Sequence, residues 1–351
     1  MTSCALPDPC CPAIHGQLAL LLPHVSLDAL EGKHILLSGG TGFFGYWLLS
    51  LLDLLNRQGL HVEVSVLSRN PAAFLARAPF FSGSTWLKWL KGDVKTFPKS
   101  GPADLMIHAA TETSAAAHAR PLMIMDDVLL GTRHALQRAL NSEIGRILFV
   151  SSGAVYGTQS ATVQQITEDT TSACDSMAPA SAYGEAKRAA EQWCVQFGLV
   201  HGVDIPVARC FAFVGAGLPL NGHFAIGNFI LDALENRPIH ANGDGTPVRS
   251  YLYGADLALW LLQILLHGSH GRAYNVGADQ GLSIAAVAHA VRDALAPHLA
   301  IQITQTAPSS ALRSRYVPSI QRARDELGLD VWTPLATAIR MTADSACLRP
   351  Q

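Results

Sequence analysis

Three side chains in this sequence have the types and spacing to move a proton at a carbon-bound oxygen. Tyr183 and Lys187 stand four residues apart in Tyr183-Gly-Glu-Ala-Lys187, a spacing that puts both on one face of a helix. A free phenol titrates near pH ~10 and is a poor base at neutrality. A neighbouring ammonium stabilises the phenolate, so Lys187 is expected to draw Tyr183 toward the working range. The pair alone is weak, because Tyr and Lys meet at this spacing by chance on many surface helices. It gains weight from an upstream segment, Phe149-Val-Ser151-Ser152-Gly-Ala-Val-Tyr-Gly157. Its hydroxyls stand at the end of an apolar strand, where open α/β sheets bind ligands. The alternative, a serine-containing turn followed by an ordinary helix surface, does not account for the order of these motifs.

A second segment supplies backbone rather than side chains. Ser38-Gly39-Gly40-Thr41-Gly42-Phe43-Phe44-Gly45 lies between an apolar strand and a helix. A dinucleotide pyrophosphate needs backbone N–H donors and a helix N-terminus close by, with no side chain in the way. Gly39 then makes the tight turn, Gly42 permits close approach and Gly45 lets the helix pack on the sheet. Phe43 and Phe44, within the turn, complete the candidate cofactor contacts. The spacing is G-x-x-G-x-x-G, and a glycine turn without a ligand is the competing reading. The next strand ends Leu67-Ser68-Arg69-Asn70, where an acidic residue would hold the ribose hydroxyls of NAD. Ser68 and Arg69 suit a 2′-phosphate better, so an NAD(P) site with a preference for NADP(H) is expected.

The elements that must position these groups follow from a repeating rhythm. Apolar strands are expected at His34-Ile-Leu-Leu-Ser, Val62-Glu-Val-Ser-Val-Leu, Leu105-Met-Ile-His-Ala-Ala, Arg146-Ile-Leu-Phe-Val-Ser and Ile205-Pro-Val-Ala-Arg-Cys, with helices at 46–57, 123–140 and 182–197. Strands alternating with helices predict a Rossmann-type α/β fold, a doubly wound parallel sheet with right-handed crossovers. With 351 residues the chain is long for one core. It reads as an extension over 1–32, a cofactor domain over 33–212 and a smaller, mainly substrate-binding lobe over 213–351. A strand near 272–277 returns to the main sheet. The extension reads as a Pro- and Cys-rich segment, loose and with reduced thiols over its first dozen residues, then a short apolar helix and a capped turn at Ser26-Leu-Asp-Ala-Leu.

Composition excludes several classes. Twenty-seven acidic against 25 basic residues, with no dense run of Lys or Arg, give no support to a nucleic-acid or anionic-membrane partner. The seven cysteines are scattered without ligand spacing, so neither a metal site nor a disulfide framework is expected. Apolar runs at 47–55 and 257–266 are too short to span a membrane and read as buried helices. With no signal peptide in view, a cytoplasmic location is the default.

Taken together, these motifs resemble extended short-chain dehydrogenases/reductases, specifically the nucleotide-sugar epimerase/dehydratase group. The likeness runs from about Lys33 to Leu335. It is carried by the glycine turn, Gly92-Asp93-Val94, Ile107-His-Ala-Ala110, the Ser152 segment, Tyr183-x-x-x-Lys187 and Gly243-Asp-Gly-Thr-Pro-Val-Arg249-Ser-Tyr-Leu-Tyr253. The resemblance implies that Asp93 and Val94 flank the adenine and that Ala109, Ala110 and Thr111 line the cofactor. Lys187 would bind the nicotinamide ribose as well as tune Tyr183. It places the catalytic hydroxyl on Ser152 rather than Ser151. Arg249 matches an arginine that grips a sugar-nucleotide diphosphate, Asn228 a position near it, and either Arg313 or Arg315 a second arginine. The implied chemistry is hydride transfer at a sugar carbon, C4, as epimerase or 4-ketoreductase, in a homodimer.

Two departures bear on the reaction. The 4,6-dehydratases of the group follow the catalytic Thr or Ser with Asp-Glu. Here Gly153 and Ala154 stand in those places and can do no acid–base work, so dehydration is disfavoured. The segment Arg-x-Phe-Asn-Pro-Val-Gly reads Arg209-Cys-Phe-Ala212-Phe213-Val-Gly, without the Asn that positions substrate. Rival readings are a reductase of a non-nucleotide carbonyl and a non-catalytic NAD(P)-binding regulator. Arg249 argues against the first and the intact Ser/Tyr/Lys set against the second.

Overall fold

The computed structural model describes residues 5–112, 114–160, 162–222, 224–304 and 315–347. The apolar runs form β1 (His34–Ser38), β2 (Glu63–Ser68), β3 (Leu87–Lys91), β4 (Leu105–His108), β5 (Arg146–Ser152) and β6 (Val207–Cys210). Between β6 and the last strand of this sheet lie four short strands, β7 (Phe213–Val214), β8 (Ile239–Ala241), β9 (Val248–Arg249) and β10 (Leu252–Tyr253). β11 (Ala273–Val276) closes a seven-stranded parallel sheet ordered β11-β6-β5-β4-β1-β2-β3. Chain order reverses between β1 and β4, the switch point at which doubly wound sheets open a crevice for ligands.

Alternation along the strands divides the core in two. Ile35, Leu37, Val64, Val66, Ile107 and Val150 face one side, while Leu36, Leu67, Met106, Ile147 and Phe149 face the other. The second side is covered by α5 (Pro121–Asn141) and α6 (Ala182–His201), which follow α3 (Pro71–Arg77) and the short α4 (Ala115–His118). The first side is covered by α2 (Phe43–Arg57) and α8 (Gly254–His267), which pack on each other. A Cβ on Gly254 would fall 2.2 Å from the Trp47 ring, so only glycine allows this approach. Both helices are buried almost all round, and a helix that is apolar all round needs cover on its outer face as well.

The short apolar helix expected in the N-terminal extension provides that cover, and the Pro/Cys segment ahead of it, expected to be loose, is packed down as well. Helix α1 (Pro12–Leu21) lays Ile14, Leu18 and Leu21 against α2 and α8, and Leu6 is buried ahead of it. The Tyr46 hydroxyl donates to the Pro7 carbonyl at 2.8 Å, fastening the segment to α2. Cys10, Cys11, Cys174, Cys194 and Cys210 are free thiols.

Beyond β6 the strands are short. β7 pairs with β10, β8 with β13 (Ile301–Ile303), and β9 lies between β12 (Leu282–Ser283) and β14 (Arg315–Tyr316). Helices α7 (Ala225–Leu234), α9 (Ile284–Leu295), α10 (Gln321–Leu327) and α11 (Leu335–Cys347) complete this part. No helix among the described residues is long and apolar enough to cross a membrane.

Candidate active site

The C-terminal ends of β1, β2, β4 and β5 form one edge of the sheet. After β1 the chain turns through Gly39 at φ +83°, and a Cβ there would lie 2.5 Å from the Ala109 carbonyl oxygen. Gly42 is the N-cap of α2, and no side chain caps that helix end, so its backbone N–H groups are presented as an anion cradle requires. A Cβ on Gly45 would meet the backbone of Gly40 at 2.2 Å, within the turn itself. The glycine pressed against the sheet is Gly40, whose Cβ would stand 2.6 Å from the Val66 side chain. Phe44 leaves the turn to pack edge-on against Phe213, 5.0 Å between ring centres. These close approaches hold the turn tight, and the uncapped start of α2 that follows it fits a dinucleotide pyrophosphate.

Ser152 ends β5 and starts a single 3-10 turn, its hydroxyl accepting from the Ala154 N–H at 3.1 Å. Ser151 points the other way, donating to the Glu191 carboxylate at 2.6 Å. Arg209 also holds that carboxylate, at 2.7 Å, and donates to the Tyr156 hydroxyl at 2.9 Å. Ser151 is thereby committed to a buried structural network, and Ser152 alone of the two faces the phenols. Tyr183 lies in the first turn of α6, within hydrogen-bonding reach of Ser152.

Burial pushes the Tyr183 phenol up to about 12, against a lowering by Ser152. The lowering expected from Lys187 is therefore not what the structure shows. Lys187 is buried, donates to the Val150 carbonyl at 2.8 Å and lies 5.0 Å over the Phe149 ring. Desolvation brings its ammonium down to about 8. Tyr183 is thus held as the neutral phenol in this structure. His118, absent from the sequence reading, stands edge-on to Tyr183 at 5.5 Å.

The sequence reading also missed Tyr316. Strand β14 runs beside β9 with Tyr316 opposite Arg249, and the Arg249 guanidinium lies 5.9 Å over the Tyr316 ring. The phenol also reaches Ser152, and its ring rests on Phe211 at 4.5 Å. This is possible because residue 153 is glycine: a Cβ there would lie 2.6 Å from the Tyr316 oxygen. Position 153, read from sequence as a missing acid, is thus the opening through which a second phenol reaches Ser152. A Tyr three residues beyond Arg313 carried no local signal of this role. Burial lowers the Arg249 pKa, and its Nη1 donates to its own Val248 carbonyl at 2.9 Å.

Of the remaining candidates, Arg315 donates to the Gln164 carbonyl and packs by Gly281. Successive strand residues face opposite ways, so Arg315 does not share the face of Tyr316. Arg313 lies outside the described residues. Asn228 is on α7, donating to the Gly222 carbonyl at 3.1 Å.

At the other end of the crevice Ser68 is buried, and Arg69 pairs with Glu112 beyond β4 at 3.4 Å. Asp93 follows β3, its carboxylate accepting from the Lys95 N–H at 2.8 Å, and Val94 packs against Gly131 of α5. Ala109 and Ala110 abut Gly39, and the Thr111 hydroxyl donates to the Ala110 carbonyl at 2.8 Å.

Comparison with known proteins agrees with this fold. The model of the NAD dependent epimerase/dehydratase family matches residues 35–277. UDP-glucuronic acid decarboxylase 1 of Danio rerio is 28% identical over 318 residues, covering 90% of this chain and 73% of that protein. Among solved structures, the UDP-glucose 4-epimerase of Thermotoga maritima with UDP-glucose superposes with a TM-score of 0.74 at 19% identity, over 90% of this chain and 98% of that one. RMD from Pseudomonas aeruginosa, complexed with NADPH, gives 0.69 at 23% identity, over 89% and 98%. These structural likenesses establish the fold.

Proposed function

Because this chain belongs to the NAD dependent epimerase/dehydratase family, we propose that it is a nucleotide-sugar oxidoreductase that reduces a keto group at C4 of the sugar. It does so as the second half of an epimerisation or as a 4-ketoreductase. The observation that carries this reading is the buried Tyr183 phenol within hydrogen-bonding reach of Ser152, with Lys187 on the same helix and no carboxyl group at 153 or 154. Carbonyl reduction needs a proton delivered to the oxygen that becomes a hydroxyl, and a phenol held protonated is poised to give one. The nicotinamide cofactor supplies the hydride when bound. Ser152 orients the substrate oxygen, and Tyr183 and Lys187 contact the nicotinamide ribose. Arg249 pairs with the substrate diphosphate, with Asn228 nearby and the residues from 213 onward forming the substrate lobe. Ser68 and Arg69 support a preference for NADP(H), and the Glu112 carboxylate opposes it. The outer faces of α5 and α6, where Leu130, Trp193 and Val200 are exposed, supply the surface for a homodimer.

A second reading has support in the likeness to UDP-glucuronic acid decarboxylases. Oxidation at C4 of a uronic acid leaves a ketone β to its carboxylate, and such an acid loses carbon dioxide without a dedicated acid or base. Thermal shift against UDP-, dTDP-, CDP- and GDP-sugars, followed by cofactor absorbance during turnover, separates the readings. Net consumption of NADPH identifies a ketoreductase, and product without net consumption an epimerase. Carbon dioxide from UDP-glucuronic acid identifies a decarboxylase. Stabilisation by none of these sugars revives the rival reading of a non-nucleotide carbonyl substrate.

A further inference from the structure

The adenosine end of the crevice carries an ion pair that neither strand end reveals by itself. Arg69 follows β2, where a guanidinium suits a 2′-phosphate and a carboxylate suits free ribose hydroxyls. Here both are present, from different strands. Arg69 Nη2 stands 3.4 Å from Oε2 of Glu112, which follows β4. The other carboxylate oxygen, Oε1, accepts from the Ser114 hydroxyl at 2.9 Å. The Ser114 hydrogen bond holds this carboxyl below its usual range, partial burial opposes, and Arg69 and then Arg120 lower it further. It is therefore an anion at neutral pH, fixed on one side by Ser114 and turned toward Arg69 on the other.

We propose that Glu112 sets the cofactor choice of this chain by occupying Arg69, admitting the diol of NAD(H) and holding back the 2′-phosphate of NADP(H). A phosphate arriving at Arg69 brings a charge of about −1.5 to −2 and meets a carboxylate already bound there. Either Glu112 is displaced from its guanidinium or two anions share one cation. A ribose diol meets no such repulsion and can donate to the carboxylate. The sequence alone reads the position after β2 as favouring the phosphate, because the opposing carboxylate is 43 residues away in the chain. The inference rests on the reading of the crevice as a nicotinamide-cofactor site.

Isothermal titration of the full chain with NADH and with NADPH tests both levels. The proteins needed are wild type, Glu112→Gln, Arg69→Gln and the double variant. Glu112→Gln keeps the side-chain shape and an oxygen for Ser114 while removing the charge. It should shift the ratio of the two dissociation constants about tenfold toward NADPH at low salt, and less at ~0.5 M salt, because the pair is exposed and screened. In the Arg69→Gln background the same change should move the ratio by less than about twofold, since the effect passes through the guanidinium. A ratio that stays within about twofold in Glu112→Gln overturns the proposal, as does an equal shift with and without Arg69. If wild type binds neither nucleotide, the cofactor-site reading falls first and this proposal with it.

Discussion

The two ends of the crevice are built on opposite physical terms. Around Ser152, Tyr183, Lys187 and Tyr316 the groups are buried, and burial itself raises the phenols and lowers the ammonium. At Arg69 and Glu112 the side chains are 65% and 40% exposed, and water screens their attraction. A dry end makes each interaction strong and each vacancy costly, which suits chemistry. A wet end makes interactions weak and adjustable, which suits discrimination between two similar cofactors. Substitutions at the first end should therefore act through rate and stability together, and those at the second through specificity with the fold untouched.

The largest effect is expected at Tyr183. Tyr183→Phe keeps the packing and removes the proton donor, and turnover of the nucleotide-sugar substrate should fall by about 10²–10⁴. Turnover undiminished in steady-state assays would leave the buried end without its chemical role. Gly153→Ala comes next. Its Cβ would collide with the Tyr316 oxygen at 2.6 Å and with Phe211 at 2.8 Å, so one or both rings must move. Denaturant unfolding should show a loss of about 1–3 kcal/mol, with turnover reduced roughly tenfold as Ser152 loses a partner. A variant as stable and active as wild type would show that the second phenol is not needed where it stands.

Lys187 gives a pH-dependent test. Its ammonium titrates near 8 when folded and near ~10.4 in an unfolded chain. Between those values the unfolded state binds more protons, so this residue makes stability rise with pH, by of order 1 kcal/mol for each pH unit crossed. Lys187→Met abolishes that dependence. The melting-temperature difference between wild type and variant should move in favour of wild type from pH 8 to pH 10. A difference that is constant across this window contradicts the burial of a titrating lysine. The smallest effect belongs to the exposed end: Arg69→Ala should change unfolding free energy by less than ~1 kcal/mol. A larger loss would mean that the two ends are not so different.

How much of this was legible depended on distance along the chain. Strands β1, β2, β4, β5 and β6 were readable because each is a short, mainly apolar or small-residue segment that is largely buried. β3 was harder to delimit, since Leu87-Lys-Trp-Leu-Lys91 forms the sheet edge with two exposed lysines and no such segment. In the extension Pro and Cys near the start suggested a loose segment, whereas the short helix after them was legible as an apolar run. Its buried face matters only once α2 and α8 are known to be apolar all round.

The sequence by itself determined the doubly wound sheet, the glycine turn and the Tyr183/Lys187 helix face. Each depends on a local period or on spacings of a few residues, which chain geometry converts directly into position. Only the tertiary structure decided that Ser151 belongs to Glu191 and Ser152 to the phenols. The same is true of Lys187 turning to Val150, Tyr316 entering through Gly153 and Glu112 meeting Arg69. Those outcomes depend on burial and on contacts between residues far apart in the chain. Where they form, desolvation and the packing of neighbouring strands, rather than residue type, set what a side chain can do.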